Sequence, residues 1–230
     1  MSHVCLTQLD FPYRIVRSKR KSAAIHVRLG AVEVRIPHYV DDTWALEFLH
    51  SKQSWVRQKL AQQASQHSLR PSLEAGQPIL WQGQERTLVL DPMNSEVLLD
   101  AAKLIIGVRK QPAIQPSLER FFKHEAREYM VVRTWQLAKQ YGLDHKIVDV
   151  KFRRTKTKWG HCTSKGVIQY NWLIMGAPLA VIDYLICHEV CHLRHHNHSA
   201  AFWRLVAVHC PDYKQQQTWL KQNSIRLSWC

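Results

Sequence analysis

His188-Glu189-Val190-Cys191-His192 is an H-E-x-x-H sequence, and a further histidine, His198, follows six residues on. In a helix His188 and His192 lie one turn apart on the same face. Both imidazoles can then reach one metal ion, with Glu189 beside them as a candidate base. Between Val181 and Leu193 only Asp183 and Glu189 carry a full charge, so this helix is expected to be buried on most sides. Two imidazoles and a carboxylate are costly to desolvate alone, and a bound cation removes that cost. One histidine in such a setting reads as a satisfied core residue. The full motif on an apolar helix favours metal.

Zinc in a catalytic site takes three protein ligands and keeps a fourth position open. The candidates for the third ligand are His195, His196, His198 and His209. If the helix continued, His195 would stand nearly two turns from His188, too far for one ion. The chain must therefore turn after His192 and bring a later histidine back. Asn197 tolerates the left-handed conformation such a turn can use, so His198 is the expected ligand. His188, His192 and His198 then have metzincin spacing, but His195 stands at the usual glycine position and no Met-turn is evident.

The elements that must hold this helix follow from periodicity. Ile25, Val27 and Leu29, then Val32, Val34 and Ile36, alternate with polar residues about Gly30, which predicts an antiparallel hairpin. Asp41 or Asp42 caps a helix running to about Ala64. Ile79–Trp81 and Thr87–Leu90 predict a second hairpin, and Val97–Leu99 and Leu104–Ile106 two short strands. A helical pattern runs from Ser117 to about Tyr141 and closes at Gly142. Strands are expected over Ile147–Arg153 and Val167–Leu173, with a basic turn over Lys156–Gly166 between them. Pro178 opens the motif helix, Ser199 caps the next, and a last helix spans Tyr213–Gln222.

Bulk composition narrows the function. The chain has 230 residues, 46% hydrophobic and 22% charged, as in an ordinary globular protein. No apolar run approaches the ~20 residues of a membrane-spanning helix. The N-terminus has no secretory pattern, and the six cysteines form no C-x-x-C, so a cytoplasmic protein with reduced thiols is expected. Cys187 and Cys191 read as small buried apolar residues. With 32 Lys+Arg against 18 Asp+Glu, the net charge of +14 suits a polyanion or nucleic-acid partner.

Two blocks carry a family resemblance. Lys158-Trp159-Gly160-His161-Cys162-Thr163-Ser164-Lys165-Gly166 with Tyr170-Asn171-Trp172-Leu173 resembles one signature of the YgjP-like metallopeptidases. Ile182-Asp183-Tyr184, His188–Leu193, Asn197-His198-Ser199 and Phe202-Trp203 resemble the other. Arg17–Lys21, Val34–Pro37 and Trp55 fit as well, and His161 departs from the usual serine. The resemblance implies a zincin-like core related to SprT-like and WLM-type peptidases, with His188, His192 and His198 as Zn2+ ligands and Glu189 catalytic. The expected fold is α+β: a β-rich N-terminal region with a long helix (residues 1–111), then a zincin-like helical and β metallopeptidase core (112–230), the two able to form one integrated domain. The expected function is zinc-dependent hydrolysis of a polypeptide substrate. The alternatives are hydrolysis of a nucleotide phosphoanhydride, which the basic charge suits, and a protease acting on DNA-bound proteins. Tyr170, Tyr184, His161 and His196 are candidate oxyanion donors.

Overall fold

A computed structural model describes residues 9–28, 30–94, 96–107 and 113–229. The fold is α+β, and the chain divides into two compact units between Leu69 and Arg70. The division lies well before the expected one at 111/112. The strands that follow Leu69 bury Ile79, Leu80, Trp81, Leu88 and Leu104 in one core with the residues around the motif helix.

In the first unit, β1 (Tyr13–Ser18), β2 (Ala24–Arg28) and β3 (Ala31–Pro37) form a sheet in the order β1-β3-β2. The β2–β3 pair is the expected antiparallel hairpin, and β1 adds to β3 in parallel. The expected helix to Ala64 divides at Lys52, whose φ of −111° leaves the helical range. This gives α1 (Asp42–Ser51), capped by Asp41, and α2 (Gln53–Ser68). Ala45, Leu49 and Val56 of the two helices share a core with Val32, Val34 and Ile36 of β3. The break lets α1 pack on β3 and α2 on β2. Gln63 of α2 donates to Val27 O at 2.7 Å and accepts from Gly30 N at 3.0 Å, tying α2 to the turn end of the hairpin.

The second unit contains the motif helix. β4 (Pro78–Trp81), β5 (Gln84–Leu90), β6 (Val97–Leu99) and β7 (Lys103–Ile106) form a sheet in the order β4-β5-β7-β6. Gln82 and Gly83 join β4 to β5 with φ of 48° and 81°, the positive values that a tight hairpin turn requires. Their amides bond Met175 O and Gly176 O, each at 2.9 Å. A Cβ on Gly83 would stand 2.6 Å from Pro178 Cγ. The hairpin tip thus clamps the chain where the motif helix begins.

The expected helix over Ser117–Tyr141 forms as α3 (Ile114–Ala126), a π-helical turn (Arg127–Val131) and α4 (Val132–Gln140). On this stretch Tyr129 donates to Asp183 Oδ1 at 2.9 Å, and Arg133 donates to Asp183 Oδ2 at 2.9 and 3.1 Å. Burial and Asp183 push the Tyr129 phenol up to about 12. Asp183 belongs to the motif helix, so this clasp fixes that helix against the π-helical turn and α4.

β8 (Asp149–Phe152), β9 (Gly160–Cys162) and β10 (Val167–Tyr170) form a third sheet in the order β8-β10-β9. β9 lies inside the stretch expected as a basic turn. The strand expected to continue to Leu173 stops at Tyr170. Trp172–Gly176 is instead a buried 3-10 turn, capped by Asn171, whose Oδ1 accepts from Leu173 N at 3.1 Å. The last elements are α5 (Leu179–His192), α6 (Ala200–His209) and α7 (Tyr213–Leu227). Trp172 and Phe122 pack edge-on to Trp229, both with ring centroids 5.3 Å away.

Candidate metal centre

α5 is an apolar helix with one polar edge. Val181, Ile182, Leu185, Ile186 and Val190 face the main core, while Tyr184, Cys187 and Cys191 face α6. The remaining edge carries His188, Glu189 and His192 into a cleft of about 810 Å³. The helix ends at His192, where Leu193 N bonds Val190 O and His195 N bonds Cys191 O. The chain then turns back to Ser199, whose Oγ accepts from Phe202 N and starts α6. Asn197 is not in the left-handed region; among the described non-glycine residues only Leu73 and Gln82 have positive φ. The turn relies on Leu193 and Arg194 and a bend at His196 and Asn197.

The structure brings His188, His192 and His198 together. His188 Nε2 lies 3.2 Å from His192 Nε2 and 3.0 Å from His198 Nε2. The ligand atoms of all three lie within 4.8 Å of one another, and among the described residues this is the one His/Cys/Asp/Glu cluster able to hold a metal ion. Nitrogens bound tetrahedrally at ~2.0–2.1 Å from zinc would be roughly 3.3 Å apart. The donor set fits such an ion. His195 contributes its carbonyl, which lies 2.8 Å from His192 Nδ1. A proton on Nδ1 leaves Nε2 bare toward the other two rings. His196 lines the cleft, and His209 stacks on Tyr141 with centroids 3.5 Å apart.

Two aromatic residues of α6 hold the histidine rings. Phe202 stacks on His192 at 4.4 Å and meets His188 and His198 edge-on at 4.9 and 5.0 Å. Trp203 stacks on His198 at 5.6 Å. Burial, with His192 and His198 adding to it, pushes His188 down to about 3, so its ring stays neutral. Burial also lowers His192.

Glu189 is 4% exposed, and its Oε2 has no hydrogen-bond partner. Burial pushes its carboxyl up to about 8, with Lys158 opposing. Gly160 of β9 abuts it: a Cβ there would stand 2.3 Å from Glu189 Oε1. Only a glycine leaves room for the carboxylate at this point. Cys162, two residues on, is pushed up to about 12 by burial and by Glu189.

The other candidate residues divide by position. Tyr184, His161 and His196 line the cleft. Tyr170 is fully buried, and its hydroxyl pairs with Thr134 Oγ1 at 3.0 Å. Asn171 orients backbone, capping the 3-10 turn and donating to Thr155 O at 3.1 Å. Cys187 and Cys191 are buried free thiols beside Phe202 and Val206. Sequence periodicity identified α7 but not its part in the cleft, where Gln217, Thr218, Leu220, Lys221 and Ser224 form one wall.

Residues 21–223 match the YgjP-like family, metallopeptidase domain. The chain belongs to the YgjP-like metallopeptidase family. Among solved structures it is similar to the metallopeptidase zymogen of Pyrococcus abyssi abylysin, at 20% identity and a TM-score of 0.38, over 41% of this chain and 95% of that chain. No curated protein matches the chain. Membership of the YgjP-like family makes the protein a metal-dependent peptidase, which implies a divalent metal and a polypeptide substrate. A nucleic-acid partner gains no support from the family. Among the described residues no helix is long and apolar enough to cross a membrane.

Proposed function

We propose that this YgjP-like protein is a zinc peptidase in which His188, His192 and His198 hold the metal and Glu189 is the general base. The observation that carries the proposal is the convergence of three Nε2 atoms within 4.8 Å beside a buried carboxylate. The donor set supports zinc, because neutral imidazoles suit it and three ligands leave a position open. Bound zinc supplies Lewis acidity, which polarises a carbonyl and lowers the pKa of water to ~7. Glu189 takes a proton from the attacking water and passes it to the leaving amine. Tyr184, His161 and His196 share the cleft and are among its groups able to donate to the developing oxyanion. β9 is the edge strand of its sheet and borders the cleft, so an extended polypeptide can add along it. The free thiols suit the reducing cytoplasm, where we place the protein. The phosphoanhydride and DNA-associated alternatives draw only on net charge.

Metal removal tests the ligand set. Changing a group that only hydrogen-bonds a metal-ligating side chain costs ~10–100-fold in metal affinity. His198→Ala is therefore expected to weaken zinc binding by at least ~100-fold, and chelation of the wild type to stop cleavage of an unfolded polypeptide until zinc is restored. Metal content and hydrolysis measured on the same samples decide it. Undiminished cleavage by the metal-free protein would reject the proposal.

Gly160→Ala tests the seat of the base. The new methyl group would overlap Glu189 Oε1, so the carboxylate must move. A displacement of ~1 Å in a catalytic group can cost 10²-fold. Hydrolysis is expected to fall by about 100-fold while zinc content stays the same, because the atoms nearest this methyl group all belong to Glu189 and not to a histidine. Full activity in the variant would show that the carboxylate position is immaterial.

A further inference from the structure

The cleft has two walls of different origin. One is β9 and the residues before it, including Lys158; the other is α7, including Lys221. The walls meet where Trp159 Nε1 donates to Ser224 Oγ at 3.4 Å. Lys158 is the neighbour of Trp159, and Lys221 stands three residues before Ser224, on the same face of α7. The two lysines therefore flank a single crossing point. Both are exposed, and neither ammonium group has an ion pair or hydrogen-bond acceptor among the described residues. Glu189 is the only carboxylate among the described residues lining the cleft. Lys158 is also close enough to act on that carboxylate. A cleft with unpaired cations and low-dielectric walls concentrates anions.

We infer that Lys158 and Lys221 form an anion-binding pair, one from each wall, that selects substrates carrying negative charge beside the reacting bond. The inference deepens the peptidase proposal and rests on it for the source of that charge, the aspartate and glutamate side chains of a polypeptide. A polyphosphate offers the same charge, so the test separates the two sources.

The test compares the zinc-loaded full chain with its Lys158→Gln/Lys221→Gln variant. Each is offered a fluorescent peptide bearing aspartate and glutamate, its asparagine and glutamine twin, and ATP. Binding is followed by anisotropy at low and at physiological salt, and cleavage by mass spectrometry. The acidic peptide is expected to bind the wild type roughly tenfold tighter than its twin, about what two exposed ion pairs supply together. The preference should shrink with salt and vanish in the double variant. Equal binding of the twins by the wild type, or a preference that survives in the variant, overturns the inference. Cleavage of both twins at equal rates leaves the peptidase proposal standing and this inference rejected. Lysine-dependent binding of the acidic peptide without cleavage does the reverse. ATP that displaces the acidic peptide only when the lysines are present supports the pair and extends its ligands to phosphate. Both side chains are exposed, so matching melting curves and zinc content for the two proteins confirm that only the charge has changed.

Discussion

Glu189→Gln is expected to lower peptide hydrolysis by roughly 10³-fold while leaving zinc content unchanged. The amide has nearly the shape of the carboxylate but cannot accept a proton at any working pH. The three converging nitrogens belong to His188, His192 and His198, so the substitution removes no ligand atom. Glu189 Oε2 has no hydrogen-bond partner, so no network is broken at that atom. The histidine rings are held by Phe202, Trp203 and the His195 carbonyl, none of which depends on the carboxylate. Parallel measurement of metal content and hydrolysis separates the outcomes. Activity equal to wild type would remove Glu189 from the mechanism, and loss of metal would make it a support of the binding site.

How much of this was legible in the sequence depended on the range of each interaction. α5 could be read because one apolar helix carries the whole H-E-x-x-H pattern between Pro178 and a forced turn. The Ser199 cap and the β2–β3 hairpin about Gly30 are equally local. The bounds of β9 were not legible: three residues within a basic stretch give no period, and the strand is defined only by its pairing with β10. The break at Lys52 follows from how two helices lie on one sheet, which helical periodicity does not encode. Nor did anything in Gln82-Gly83 show that this hairpin tip grips Met175, Gly176 and Pro178, although the turn itself was readable. That long-range contact places β4–β7 in the unit that contains the metal centre. The same limit hid Gly160, whose missing side chain is explained only by Glu189, twenty-nine residues later in the chain.

The buried carboxylate also predicts a pH-dependent weakness in the metal-free protein. The ordinary carboxyl value is 4.5, and burial pushes Glu189 up to about 8. Between these values the unfolded chain has released the proton that the folded chain keeps, so stability falls as pH rises. The loss starts above 4.5 and levels off above about 8. Each unit of difference is worth ~1.4 kcal/mol, so the loss between pH 5 and pH 8 is roughly 3 kcal/mol. Glutamine does not titrate. Metal-free Glu189→Gln should therefore gain on metal-free wild type by about that amount over the interval, even though it is the inactive protein. His188 acts in the opposite direction: held near 3 instead of 6.5, it costs stability as pH falls, and it does so in both proteins. A bound cation favours both the ionised carboxylate and the neutral ring, so zinc should close most of the gap at pH 8. Denaturant unfolding of both proteins with chelator, at pH 5 and pH 8, measures the gap directly. A gap that does not change with pH would mean that the Glu189 carboxylate ionises in the folded chain as freely as in the unfolded one.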